Sequence, residues 1–198
     1  MLQDKLKNYN IILASGSPRR QQFFKDLDID FEIRLKEIDE IYPPSLKAEE
    51  ITNYLAQLKA AAFKGELKKK ELLITSDTIV WMNNEALGKP KDYNDAFTIL
   101  KKLANATHEV ITSVCFTTNQ SSHTIFDITK VTFNLLSDEA IYYYLDNYKP
   151  FDKAGAYGIQ DWIGLIGISK IEGSYTNVVG LPTEKVYQYL TTKLVLNN

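Results

Sequence analysis

Apolar residues recur along this chain with two different periods, and the switches between them mark out its elements. A short unbroken apolar run, Ile11 to Ala14, predicts a buried strand. After Pro18, the stretch RRQQFFKDL predicts a helix whose first amides Ser17 caps. FEIRL reads as a second strand. AEEITNYLAQLKAAAFKGEL sets apolar residues at helical spacing among good helix formers and predicts a long amphipathic helix. The basic KKK of Lys68 to Lys70 is expected as its solvated end, favoured by the helix dipole.

ELLITSDTIVWM is a strand, which Asn83 and Asn84 turn into the short return EALGKP. DYNDAFTILKKLA predicts a helix with an acidic cap. HEVITSVCFTTN and SHTIFDITKVTFNLL predict two long alternating strands joined at QSS, and SDEAIYYYLDNY predicts a helix starting at Ser137. A loop, KPFDKAGAYGIQDW, precedes a strand IGLIGISKI, a turn EGSYTNVVGLP and a last helix from Thr183. Helices flanking strands at both ends, with antiparallel ribbons between, indicate an α/β fold around a mixed central sheet. Without an internal repeat or a low-complexity linker, residues 1–198 read as a single domain with no clean internal boundary.

Composition narrows the class. At 198 residues and 44% apolar content the chain can bury a sizeable core. A net charge of -2, from 23 basic and 25 acidic residues spread along the sequence, argues against nucleic-acid binding or attachment to a membrane surface. MLQDKLKNYN lacks an apolar signal core, and no run approaches the roughly 20 apolar residues that span a bilayer, so a cytoplasmic protein is expected. The single cysteine, Cys115, is expected as a small core residue on a strand. His108 and His123 lack the partner spacing of a zinc site, and no nucleophile elbow, GxGxxG or Walker motif is present.

Three features carry candidate chemistry. In SGSPRR two arginines occupy the first turn of a helix, where cations oppose the dipole. Free amides, serine hydroxyls and guanidiniums at a strand-to-helix turn would cradle a phosphate; alternatively both arginines are solvated or pair with surface acids. On either reading, removing one should cost little stability. Asp77 is a carboxylate among LLI and IVW, as a metal ligand or general base would be, or as a structural aspartate bonding a strand irregularity would be. The lysines stand beside structural punctuation: Lys89 in LGKP, Lys153 in DKAGAYGIQ, and Lys59, which interrupts a small apolar helical stretch. The low-bulk AGAYG loop suits close backbone approach to a flat ligand, and the Gln160 amide could read a base edge there.

Taken together, these residues resemble the Maf family of nucleoside triphosphate pyrophosphatases. The likeness runs almost end to end: LASGSPRR, the DE of Asp39 and Glu40, LKA around Lys59, SDTIV, LGKP, HEVITSV, DKAGAYGIQ and VVGLP, all in the family's order. Ser76 departs from it, standing where the family commonly has alanine. The pairing of SPRR with AGAYGIQ is similar to the branch acting on dTTP and UTP. The resemblance implies a fold of the Maf or ITP pyrophosphatase kind, with a mixed sheet and two lobes flanking a cleft. It implies hydrolysis of a nucleoside triphosphate to the monophosphate and pyrophosphate, in nucleotide house-cleaning or pyrimidine pool control. By the same resemblance Asp77 is the catalytic proton acceptor, and Ser15, Arg19, Arg20, Lys59 and Lys89 hold phosphates. Arg19, Thr78 and Gln160 set specificity, and Glu40 with Asp77 bind Mg²⁺ or Mn²⁺. It admits a homodimer. A second reading is a nucleotide-binding regulator of septum formation that acts without turnover; a mere binder, however, needs cations but not an aspartate inside a strand.

Overall fold

The computed structural model describes residues 2–194. Its strands form a mixed sheet flanked by helices. The strands are β1 (Asn10–Leu13), β2 (Glu32–Ile33), β3 (Glu71–Met82), β4 (Glu85–Leu87), β5 (Thr107–Thr117), β6 (Ser122–Phe133) and β7 (Ile168–Glu172). Their order is β2-β1-β3-β5-β6-β7, with β4 also on β3. β1 runs parallel to β2 and β3, whereas β3–β4 and β6–β7 are antiparallel. The helices are α1 (Leu2–Leu6), α2 (Pro18–Asp26), α3 (Glu49–Ala61), α4 (Tyr93–Leu103), α5 (Asp138–Tyr148), α6 (Trp162–Gly167), α7 (Tyr175–Val179) and α8 (Thr183–Gln188).

Among the described residues the chain divides into two compact units, the first taking residues 2–77, 112–127 and 180–194 and the second 78–111 and 128–179. In the first unit the strands are apolar on both faces, as parallel strands covered on both sides must be. Side-chain alternation sends Ile11, Leu13, Leu72, Ile74, Val114 and Phe116 to one cluster, with Phe24 of α2 and Val186 of α8. Ile12, Leu73 and Cys115 face the other way, against Ala56 and Ala60 of α3. Cys115 is thus the core residue its strand pattern predicts, fully buried. Thr75 and Asp77 follow Leu73 at the same parity and so share the α3 face.

The second unit has its own core, in which Val80, Leu87, the apolar stripe of α4 and Ile141, Tyr144 and Leu145 of α5 pack together. Asn83 and Asn84, at φ 51° and 63°, make the tight turn between β3 and β4. Asp92 and Ser137 cap α4 and α5 by accepting from the amides of Asp95 and Ala140.

Several predicted elements come out differently. FEIRL yields only the two residues of β2, whose partner strand β1 ends opposite Ile33 at Leu13; beyond it the Arg34 side chain is clamped to Glu32 and, at 2.8 Å, to the buried Glu71. α3 ends at Ala61, and a turn with Gly65 at φ 81° leads away from it. KKK therefore lies in the turn entering β3, with Lys70 at φ 70°, and is not a helix end. The first half of IGLIGISKI is α6; its glycine lets the helix settle onto the preceding loop, since a Cβ on Gly164 would fall 1.9 Å from the Ile159 carbonyl oxygen. EGSYTNVVGLP contains the short α7, and MLQDKLKNYN contains α1.

Candidate active site

Asp77 ends the first unit's stretch of β3. It is 7% exposed, with its carboxylate turned towards α3. There the Lys59 ammonium meets Asp77 Oδ1 at 2.5 Å and Glu40 Oε1 at 2.8 Å, bridging the two carboxylates. Lys59 can reach this point because Ala56 and Ala60, small residues buried against Ile12 and Leu73, keep α3 close to the sheet. Burial pushes the Asp77 carboxyl above the ordinary aspartate value, the Lys59 charge and hydrogen bond opposing it, Arg20 opposing it further and Glu40 adding to it. A raised carboxyl pKa lies nearer the working range of a general base. Ser15, Gly16, Leu35, Glu40, Lys59 and Ser76 line a cavity of about 530 Å³ beside this pair.

The turn before α2 differs from its prediction. Ser17 holds the cap position, yet its side chain makes no cap bond; Ser15 Oγ instead accepts from the Ser17 amide at 3.3 Å. Ser15 Oγ also accepts from Arg20 at 3.4 Å. Arg20 is not a solvated cation. Its Nε donates to the Gly180 carbonyl at 2.8 Å and its Nη1 to the Ser76 carbonyl at 3.1 Å, so it braces β3 immediately before Asp77. Burial holds its pKa below the usual arginine value, with Asp77 acting in the opposite sense. The expectation that either arginine is removable at little cost to stability therefore fails for Arg20, whose loss would strip hydrogen bonds from two backbone carbonyls. Arg19 is half-buried at the same turn.

Ser15, Arg19, Arg20, Glu40, Lys59 and Asp77 all belong to the first unit. Thr78, Lys89 and Gln160 belong to the second. Thr78 directly follows Asp77 in β3, Lys89 is exposed after β4, and Gln160 is exposed in the loop after α5. That loop is held by Tyr144 and Asp161, which the sequence did not single out, together with Lys153, which it did. The Tyr144 hydroxyl donates to Asp161 at 2.7 Å and accepts from the Gly158 amide at 3.1 Å, and Lys153 lies 3.9 Å from Asp161. Gly155, at φ 70°, is where the loop approaches closely, and what it approaches is β3: a Cβ there would fall 2.6 Å from Val80 Cγ2. His108 is buried, held well below the usual histidine range at about 4, and bonded through Nε2 to the Tyr157 hydroxyl at 2.8 Å.

Among the described residues no group of three or more His, Cys, Asp or Glu side chains comes together as a metal cage. Glu40 and Asp77 nonetheless bring two carboxylates together around Lys59. That donor set fits an ion such as Mg²⁺, which commonly takes one or two carboxylates and completes its shell with phosphate oxygens and water.

Comparison with known proteins finds one family along most of the chain. The profile of the family described as Maf-like protein matches residues 10–193. A dTTP/UTP pyrophosphatase of Flavobacterium johnsoniae is 70% identical over 97% of this chain and 99% of its own length. That of Flavobacterium psychrophilum is 72% identical over 96% and 97%, and that of Christiangramia forsetii 54% identical over the full length of both.

Proposed function

The chain belongs to the Maf family, and from that premise we propose that it is a nucleoside triphosphate pyrophosphatase hydrolysing dTTP and UTP to the monophosphate and pyrophosphate. The observation that carries the reading is the buried Asp77 paired to Lys59 beside a cavity. Water attacks the α-phosphorus, a new oxygen–phosphorus bond forms, and the bond to the β-phosphate oxygen breaks as pyrophosphate departs. Asp77 takes the proton of the attacking water. Ser15, Arg19, Lys59 and Lys89 hold the phosphate oxygens, and Arg20 contributes by fixing the strand that presents Asp77. Glu40 and Asp77 would hold a divalent ion, which when bound offsets charge on the phosphates.

The sparse net charge supports a small-molecule substrate. No helix among the described residues is long and apolar enough to cross a membrane. We place the enzyme in the cytoplasm, where its substrates are, and read its role as house-cleaning or pyrimidine pool control. A regulator acting without turnover finds no support in a base-like carboxylate held next to a cation.

Base choice falls to Gln160 with Arg19 and Thr78. Thymine and uracil present two carbonyls flanking one N–H, which suits an amide able to donate and accept. Pyrophosphate release measured with a triphosphate panel and Mg²⁺ should favour dTTP and UTP over dCTP and purines by about 10–100-fold in kcat/KM, the effect of one unpaired polar group. Gln160→Ala should flatten that ratio chiefly by slowing dTTP and UTP. A flat wild-type profile, or a variant as selective as wild type, removes Gln160 from the site.

A further inference from the structure

The Lys59–Asp77 contact joins α3 to β3 across an interface of small apolar groups, Ala56 and Ala60 against Ile12, Leu73 and Cys115. Such contacts are non-directional. They oppose separation of helix and strand more than sliding of one along the other, and misplacement of a reacting group by about 1 Å can cost on the order of 10²-fold in rate.

Directional ties cross the same interface. Thr75 Oγ1 donates to the Ala56 carbonyl at 2.7 Å. Further along α3, the Thr52 and Ser113 hydroxyls meet at 2.6 Å, and Ser113 donates to Asn53 Oδ1 at 2.8 Å. Thr52, Thr75 and Ser113 are fully buried. The Thr75 tie lies nearest the site: it leaves the face of β3 that carries Asp77 and reaches α3 about one turn ahead of Lys59. A carbonyl inside a helix already accepts the amide four residues on, so the Ala56 oxygen does not need this hydroxyl to be satisfied. A fully buried strand position next to Ile74 and on the same face as Leu73 would also take valine readily. The hydroxyl therefore has a use other than folding.

We propose that Thr75 is a positioning residue for the hydrolysis: its bond to the Ala56 carbonyl sets the register of α3 on β3 and so places the Lys59 ammonium on Asp77. This rests on the roles given above to Asp77 and Lys59. Thr75→Val keeps the shape and removes the bond, whereas Thr75→Ser keeps the bond and removes a packed methyl. Thr75→Val should lower kcat on UTP about tenfold with an unchanged or raised Tm, and Thr75→Ser should retain kcat within about twofold with a lowered Tm, so that activity and stability move in opposite directions. In a Lys59→Met background, Thr75→Val should change the residual rate by less than about twofold, because residues acting through one contact are not additive. Wild-type kcat in Thr75→Val, equal impairment in Thr75→Ser, or additive losses with Lys59→Met would each overturn the assignment. Failure of the functional reading would show differently, as wild-type protein that releases no pyrophosphate. The crystal structure of Thr75→Val would then decide alone: α3 displaced along β3 supports the role, and an unchanged Lys59–Asp77 contact overturns it.

Discussion

Asp77→Asn is expected to lower kcat on dTTP and UTP by about 10²- to 10⁴-fold, the range of a positioned general base, while triphosphate affinity stays near the wild-type value. Asparagine keeps the shape of the side chain, and its carbonyl oxygen still accepts from Lys59. What it cannot do is take a proton from water. The neighbouring Glu40 is exposed on a loop and does not share Asp77's burial, so it is a poor substitute. Steady-state turnover and calorimetric binding on the same preparation separate the two effects. A variant retaining more than about a tenth of wild-type kcat would rule out a base contributing the usual factor.

Lys59→Met should be nearly as damaging, with kcat/KM reduced by about 10²–10³-fold, since a charge-assisted contact of about 1.5–3 kcal/mol is lost together with the setting that keeps the base ionised. Lys59 is the cation shared by Asp77 and Glu40. Burial already raises the Asp77 pKa, and the Lys59 charge is the largest influence holding it down. Without the ammonium, two carboxylates are left near each other and Asp77 is driven towards its protonated, inactive form. Methionine retains the length of the apolar stem, so the loss should appear in kinetics with the fold intact by circular dichroism. Activity within about threefold of wild type would show that the pair is structural.

Much of this site was readable residue by residue, but not its assembly. Lys59 stood out because it interrupts a run of small apolar residues, and Asp77 because a carboxylate is costly among LLI and IVW. Their contact joins residues 18 apart on different elements, and only the packing of α3 by its alanines shows it. Long periodic elements such as α3, α4, β5 and β6 were legible for the same reason that they are stable: each presents an extended apolar face. α6 was not, because a six-residue helix offers too few turns for its period to differ from a strand's, and its seat depends on the close approach of Gly164 to the Ile159 carbonyl. Arg20 carried an ambiguous signal. Local rules saw a cation against a helix dipole, whereas its partners, the carbonyls of Ser76 and Gly180, are distant in sequence. The supports of the Gln160 loop, Tyr144 and Asp161, were hidden in a tyrosine run and a loop end that nothing local distinguishes.

In the proposed reaction water, activated at Asp77, attacks the α-phosphorus of a pyrimidine triphosphate. Hydrolysis of UTP in ¹⁸O-labelled water, followed by phosphorus NMR or mass spectrometry of the products, tests it directly. Label is expected in the phosphate of UMP and none in pyrophosphate. Label in pyrophosphate, or release of orthophosphate in place of pyrophosphate, would contradict it.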